Sequence, residues 1–128
     1  MNIHDYFSSM RRGLKHRRIV SLDEPVVSQA IDDNNGLFHY RVHLWDDSFL
    51  EIREIVTTQH GYPQKRRYSY HYQKAGQTIF RYDNAPHHPE ISTFPHHKHT
   101  GAQEQASLAS PPTLSAVFDE IEGYLEQV

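Results

Sequence analysis

Apolar positions along the chain change period twice. Ile3, Tyr6, Phe7, Met10 and Leu14 recur at three- and four-residue spacing, one stripe of an amphipathic helix over residues 2–15 with Asn2 as its N-cap. From Val26 the period falls to two. Val26–Ile31 reads as a short strand and Leu37–Trp45 as a long one, in which Phe38, Tyr40, Val42 and Leu44 alternate with His39, Arg41 and His43. Phe49–Val56, Arg66–Gln73 and Thr78–Tyr82 follow. Their separators are turn signals: Asp32–Gly36 before the long strand, then Asp46-Asp47, Gly61–Pro63 and Ala75-Gly76. Helical spacing returns after Pro111-Pro112, with Leu114, Val117, Phe118, Ile121 and Leu125 on one stripe. The order predicts an α+β fold: an antiparallel meander of about five strands flanked by an N-terminal and a C-terminal helix. A single domain over residues 1–128 is expected, with a histidine-rich loop over 83–99 and a small, polar, mobile connector over 100–111.

The strand periodicity also sorts the polar residues by face. Glu54 falls on the apolar side with Leu50, Ile52 and Val56, a carboxylate among hydrocarbon neighbours. Arg53 falls on the other side with Glu51 and Phe49, and either Glu51 or Glu54 is placed to pair with Arg41 across the hairpin. His71 shares a side with Arg67 and Ser69, from which it can approach Arg53 or Arg81. Tyr68, Tyr70 and Tyr72 form a stripe that either packs the sheet or stacks bases beside Arg66, Arg67 and Arg81.

Composition narrows the chemistry further. The chain has no cysteine, so disulfides, thiolate nucleophiles and Cys-ligated metals are excluded. No run of eighteen apolar residues exists and the first residues lack a signal-peptide core, so a cytoplasmic protein without membrane contact is expected. The net charge of −3 conceals segregation: residues 1–18, 19–63, 64–99 and 100–128 carry +4, −6, +4 and −5. Two basic segments can therefore form a local phosphate-binding patch. A Gly-rich phosphate loop, a Gly-x-Ser-x-Gly elbow and a His-Glu-x-x-His helix are all missing, which weighs against an NTPase, a serine hydrolase and a zincin.

The remaining chemistry is concentrated between Arg81 and His99. Five of the eleven histidines lie there, as His87-His88, His96-His97 and His99, interrupted by Pro86, Pro89 and Pro95. Imidazoles exchange protons near neutral pH and also ligate metals. His88, His97 and His99 are the candidates for proton transfer, with His71 or Glu54 as orienting group or base. Arg53, Arg81 and Lys98 are the candidates for phosphate charge. Asp83, Asn84, His87 and His96 are the candidates for orienting the others.

The segments Phe80–Glu90 and Phe94–His99 resemble the signature of the TumE toxin family. The hairpin Asp46–Glu54 and the run Tyr68–Gln73 are similar to further recurrent blocks of that family. The resemblance implies a toxin encoded beside a helix-turn-helix antitoxin, with that antitoxin as its partner; the sequence leaves a homodimer open. It hands over no catalytic assignment. The residues themselves suggest a metal-independent endoribonuclease that needs no cofactor: RNA brings its own 2′-hydroxyl nucleophile, and an imidazole pair with Arg or Lys supplies base, acid and phosphate charge. A metal-dependent variant would use a histidine with Asp83 and Glu90 as ligands. A different class of reading is a non-catalytic toxin whose His/Pro loop blocks a cellular partner.

Overall fold

The computed structural model describes residues 1–17, 20–21, 27–101 and 105–125. Helix α1 (Ile3–Lys15) and helix α2 (Leu114–Leu125) enclose strands β1 (Val20–Ser21), β2 (Val27–Ala30), β3 (Asn35–Leu44), β4 (Phe49–Thr57), β5 (Gln64–Lys74), β6 (Gln77–Asp83), β7 (His97–Thr100) and β8 (Gln105–Leu108). All pairings are antiparallel, in the order β1-β3-β4-β5-β6-β7-β8, with β2 beside β1 on the same edge of β3. The α+β class, the flanking helices and the central meander are as the periodicity predicts. Val26, the expected first residue of the first strand, lies outside the described residues.

The sheet is larger than the five expected strands: the two-residue β1 joins the β3 edge, and the other two additions lie where prolines and small residues suggested loop. His97–Thr100, the end of the expected histidine-rich loop, pairs with β6, and Gln105–Leu108, inside the expected connector, pairs with β7. Pro95 lies outside β7, where its missing N–H costs no rung of the ladder.

Helix α1 is closed by a capping box in which Asn2 and Asp5 exchange side-chain and backbone hydrogen bonds of 2.9 and 3.0 Å. Its apolar stripe packs on the sheet at Gly36, where an added Cβ would stand 2.8 Å from Phe7 Cζ and 2.9 Å from Ile3 Cγ1. Beyond the helix, Arg17 donates to Asp119 and Glu122 at 3.2 Å, which ties the start of the chain to α2. The two-residue turn Ala75-Gly76, with φ of 53° and 75°, sets the β5–β6 register through Lys74↔Gln77.

Strand alternation gives the sheet two different faces. Phe38, Tyr40, Val42, Leu50, Ile52, Tyr70, Tyr72 and Phe80 meet Val117, Phe118 and Ile121 of α2 and Ile3, Phe7 and Leu14 of α1 in one core. The tyrosine stripe is therefore packing, because burial of these rings on the helix-covered face leaves no surface on which a base can stack. The opposite face carries His39, Arg41, Glu51, Arg53, Arg67, Ser69, His71, Arg81 and Asp83. No helix among the described residues is long and apolar enough to cross a membrane.

Candidate active site

The open face leads to one concentrated cluster. Asp83 is the last residue of β6, and the register sets it opposite His97, with Arg81 opposite His99. Directly paired residues share a face, so both imidazoles stand over the end of β6 beside the carboxylate. After Asp83 the chain folds back sharply. The Asp83 carboxylate accepts from the Ala85 N–H at 3.0 Å, and His88 adopts a left-handed φ of 66°. Side chains of consecutive residues ordinarily diverge, but this bend brings the His87 and His88 rings to 4.7 Å, edge to face. The rings of His87, His88, His97 and His99 then lie within 4.7–6.3 Å of one another.

The cluster has a buried floor and an accessible roof. His97 is 1% and His99 5% exposed, and Asp83 is equally buried, whereas His87 is exposed and His88 half-buried. Asp83 holds the floor. Its Oδ2 accepts from Arg81 Nε at 3.0 Å and lies 3.6 Å from His99 Nε2, and its Oδ1 lies 2.9 Å from His97 Nε2. That last contact is short but off the line of a hydrogen bond, so His97 Nε2 has no aligned partner among the described residues. His97 Nδ1 lies 2.8 Å from the Pro95 carbonyl, which can only accept, so this nitrogen carries the proton. On the roof, lost solvation and then the neighbouring His97 ring hold the His87 imidazole below its ordinary value, against the opposing pull of Asp83. His88 Nδ1 contacts Glu90 at 3.1 Å.

Beside the cluster, Glu51, Arg53, Arg67, His71, Arg81 and Asp83 line a cleft of about 380 Å³. A second hollow of about 570 Å³ continues from it over Leu37, His39 and Ile55, sharing Arg53 and Arg67. Glu51 is held as a carboxylate below its ordinary value. Its burial works the other way but is outweighed by Arg41 at 2.9 Å, Arg53 at 3.3 Å and His39 at 3.5 Å. The surface that leads to the imidazoles is thus basic, with two exposed apolar side chains, Leu37 and Ile55, at its far end.

A family profile described as toxin TumE matches residues 10–128. The chain belongs to the TumE toxin family. No curated protein and no solved structure matches it. Membership makes the chain the toxin component of a toxin–antitoxin system, and the match spans both the open face and the imidazole cluster of this TumE-family chain.

Several residues singled out in the sequence meet here and others do not. His88, His97, His99, Arg81, Asp83 and His87 converge, and Arg53 and His71 line the adjoining cleft. His71 is engaged through both ring nitrogens, with Thr78 Oγ1 at 2.7 Å and Gln73 Nε2 at 3.2 Å. Lys98 is a correction. Flanked by two inward histidines, it must point to the opposite face, where it pairs with Glu120 of α2 at 2.8 Å and lies over the Tyr82 ring. Glu54 is a second correction, buried on the helix-covered face with Tyr6, Tyr70 and Lys65. Asn84 orients no histidine: its side chain caps β5, accepting from Tyr68 N at 2.9 Å and donating to Arg66 O at 3.0 Å. His96 stacks on Tyr68 at 5.8 Å, away from the other four rings. Arg67, on the same side of its strand as Ser69 and His71, also lines the cleft, and no residue type in the sequence by itself marks such a groove.

Proposed function

We propose that this toxin is an endoribonuclease whose centre is the imidazole cluster around Asp83. The observation that carries the reading is the pairing of an accessible His87-His88 roof with a buried Asp83–His97–His99 floor at the end of a basic cleft. RNA supplies the nucleophile. A base removes the 2′-hydroxyl proton, the 2′-oxygen attacks phosphorus, and an acid protonates the departing 5′-oxygen. The products are a 2′,3′-cyclic phosphate and a 5′-hydroxyl. The roof imidazoles can reach a phosphodiester, and His88 suits the proton transfers there. Buried His97 and His99 suit positioning. Arg81 stands where negative charge grows on the phosphorane, and Arg53 and Arg67 suit flanking phosphates. Leu37 and Ile55 offer an apolar seat for a neighbouring base. None of these proton transfers requires a metal ion. A helix-turn-helix antitoxin that covers the cleft, and action in the cytoplasm, go with this reading.

The test is sequencing of 5′-hydroxyl RNA ends after brief expression of the full chain and of His88→Ala. The expected result is discrete new ends with the unaltered toxin, reduced about 10²–10⁴-fold in the variant. An intact RNA pool in cells that nonetheless stop growing would replace cleavage with blockade of a cellular partner.

A further inference from the structure

We propose that Asp83, His87 and His97 form a binding site for a divalent transition-metal ion of the zinc class. The inference stands on ligand geometry alone and holds whether or not the chain cleaves RNA. One donor atom from each of the three residues lies within 4.8 Å of the other two.

The argument begins at His97. With its Nδ1 proton given to the Pro95 carbonyl at 2.8 Å, a neutral ring presents the Nε2 lone pair to the Asp83 carboxylate, 2.9 Å away. Two electron pairs in a nearly dry site repel unless something positive lies between them. A proton on Nε2 is one answer, but it would have to point at Oδ1, and the ring is not aligned for that bond. A cation is the other. Zinc binds nitrogen and carboxylate oxygen at about 2.0–2.2 Å, so two donors on one ion stand roughly 3 Å apart without facing each other. That matches the observed contact.

The surroundings have the form such a site needs. A metal-ligating imidazole ordinarily donates its other N–H to a carbonyl or carboxylate, and Pro95 fills that role for His97. The carboxylate is held as well: Arg81 occupies Oδ2 at 3.0 Å, and the Ala85 N–H steadies Oδ1 at 3.0 Å, which leaves the second lone pair of Oδ1 for the ion. His87 completes the set from an exposed loop position, with a ring nitrogen within 4.8 Å of the other two donors. Glu90, named beside Asp83 in the metal-dependent variant, is instead exposed and turned to His88. Two nitrogens and one oxygen favour zinc or a neighbouring metal over magnesium or calcium, which prefer all-oxygen shells. Three protein donors leave a coordination position open to water or to a phosphoryl oxygen.

The experiment uses untagged, chelator-treated full-length protein, titrated calorimetrically with Zn²⁺ alone and with Mg²⁺ alone. The expected result is saturable Zn²⁺ binding at about one ion per chain with no Mg²⁺ binding. Affinity should fall by more than about 100-fold in His87→Ala and in His97→Gln and stay unchanged in His96→Ala. Circular dichroism checks each variant's fold. His87 is exposed, so its variant remains informative even if His97→Gln fails to fold. Absence of Zn²⁺ binding, or binding that persists undiminished in folded His87→Ala, overturns the site. RNA-end sequencing is a separate readout, so either reading can fail without the other.

Discussion

Among the described residues the sheet buries two carboxylates, one under each face, and they are treated in opposite ways. Glu54, on the helix-covered face, takes hydrogen bonds from Tyr6 and Tyr70 and lies 3.6 Å from Lys65. Burial, and then the Glu54 charge, push both phenols far above their ordinary value, so these donors hold their protons across the working pH range. Asp83, at the end of the open face, is surrounded by Arg81 and by imidazoles that exchange protons, two of which reach solvent through the roof. Burial alone therefore does not mark a functional acid. What distinguishes Asp83 is the exchangeability of its partners and their connection to the outside.

That contrast is most sharply tested by exchanging the two losses. Asp83→Asn removes the charge that holds the cluster, and RNA cleavage is expected to fall at least about 10²-fold in protein that still melts cooperatively. Glu54→Ala leaves two buried hydroxyls and a half-buried ammonium without their acceptor. It should cost about 3 kcal/mol of stability in urea titration, with the folded fraction still cleaving RNA normally. If Glu54→Ala abolished cleavage in folded protein, the division between the faces would collapse.

How far the sequence could carry this contrast depends on the residue. Alternation alone puts Glu54 on the apolar side of its strand, and Arg53 and His71 on the other side. The helices and the five-strand meander were legible because their apolar periods are long and uninterrupted. The cluster was legible in composition but not in layout. Prolines at 86, 89 and 95 hid the fact that His97–Thr100 pairs with β6, and only that pairing separates His97 and His99 from Lys98. The convergence of His87 with His88 rests on one left-handed residue, and nothing in a His-His dipeptide announces it. Tertiary pairing decides both points, and local sequence does not encode it.

The helix-covered face makes a second prediction, through pH. Tyr6 and Tyr70 are raised from an ordinary value of 10.0, and Tyr68 is pushed up to about 12. A group with a raised folded-state value stabilises fully below its unfolded value and loses that contribution as pH climbs toward the folded one. Stability should hold to about pH 10 and then decline, measured as the urea midpoint across pH 8 to 11. Tyr70→Phe should lower the pH 8 stability by about 1–3 kcal/mol and flatten the alkaline decline. A midpoint that stays constant to pH 11 in the unaltered chain would break the account of the Glu54 network. The cluster at Asp83 enters this alkaline limb only through Tyr68, whose phenol is raised first by burial and then by the Asp83 charge.

The smallest expected effect sharpens the comparison at a single strand. Lys98 lies between two site histidines in sequence, yet its ammonium sits under the opposite face, over Phe80 and Tyr82 and paired with Glu120. Burial opposes its charge, but Glu120 and Tyr82 outweigh that and hold the ammonium above its ordinary value. Lys98→Ala should therefore cost about 1 kcal/mol in urea titration, through the lost ion pair and ring contact. RNA cleavage and Zn²⁺ affinity should both be unchanged. The substitution separates neighbourhood in sequence from neighbourhood in space: a tenfold loss of cleavage in folded Lys98→Ala protein would mean that the cation acts through the sheet, and that the two faces are one site.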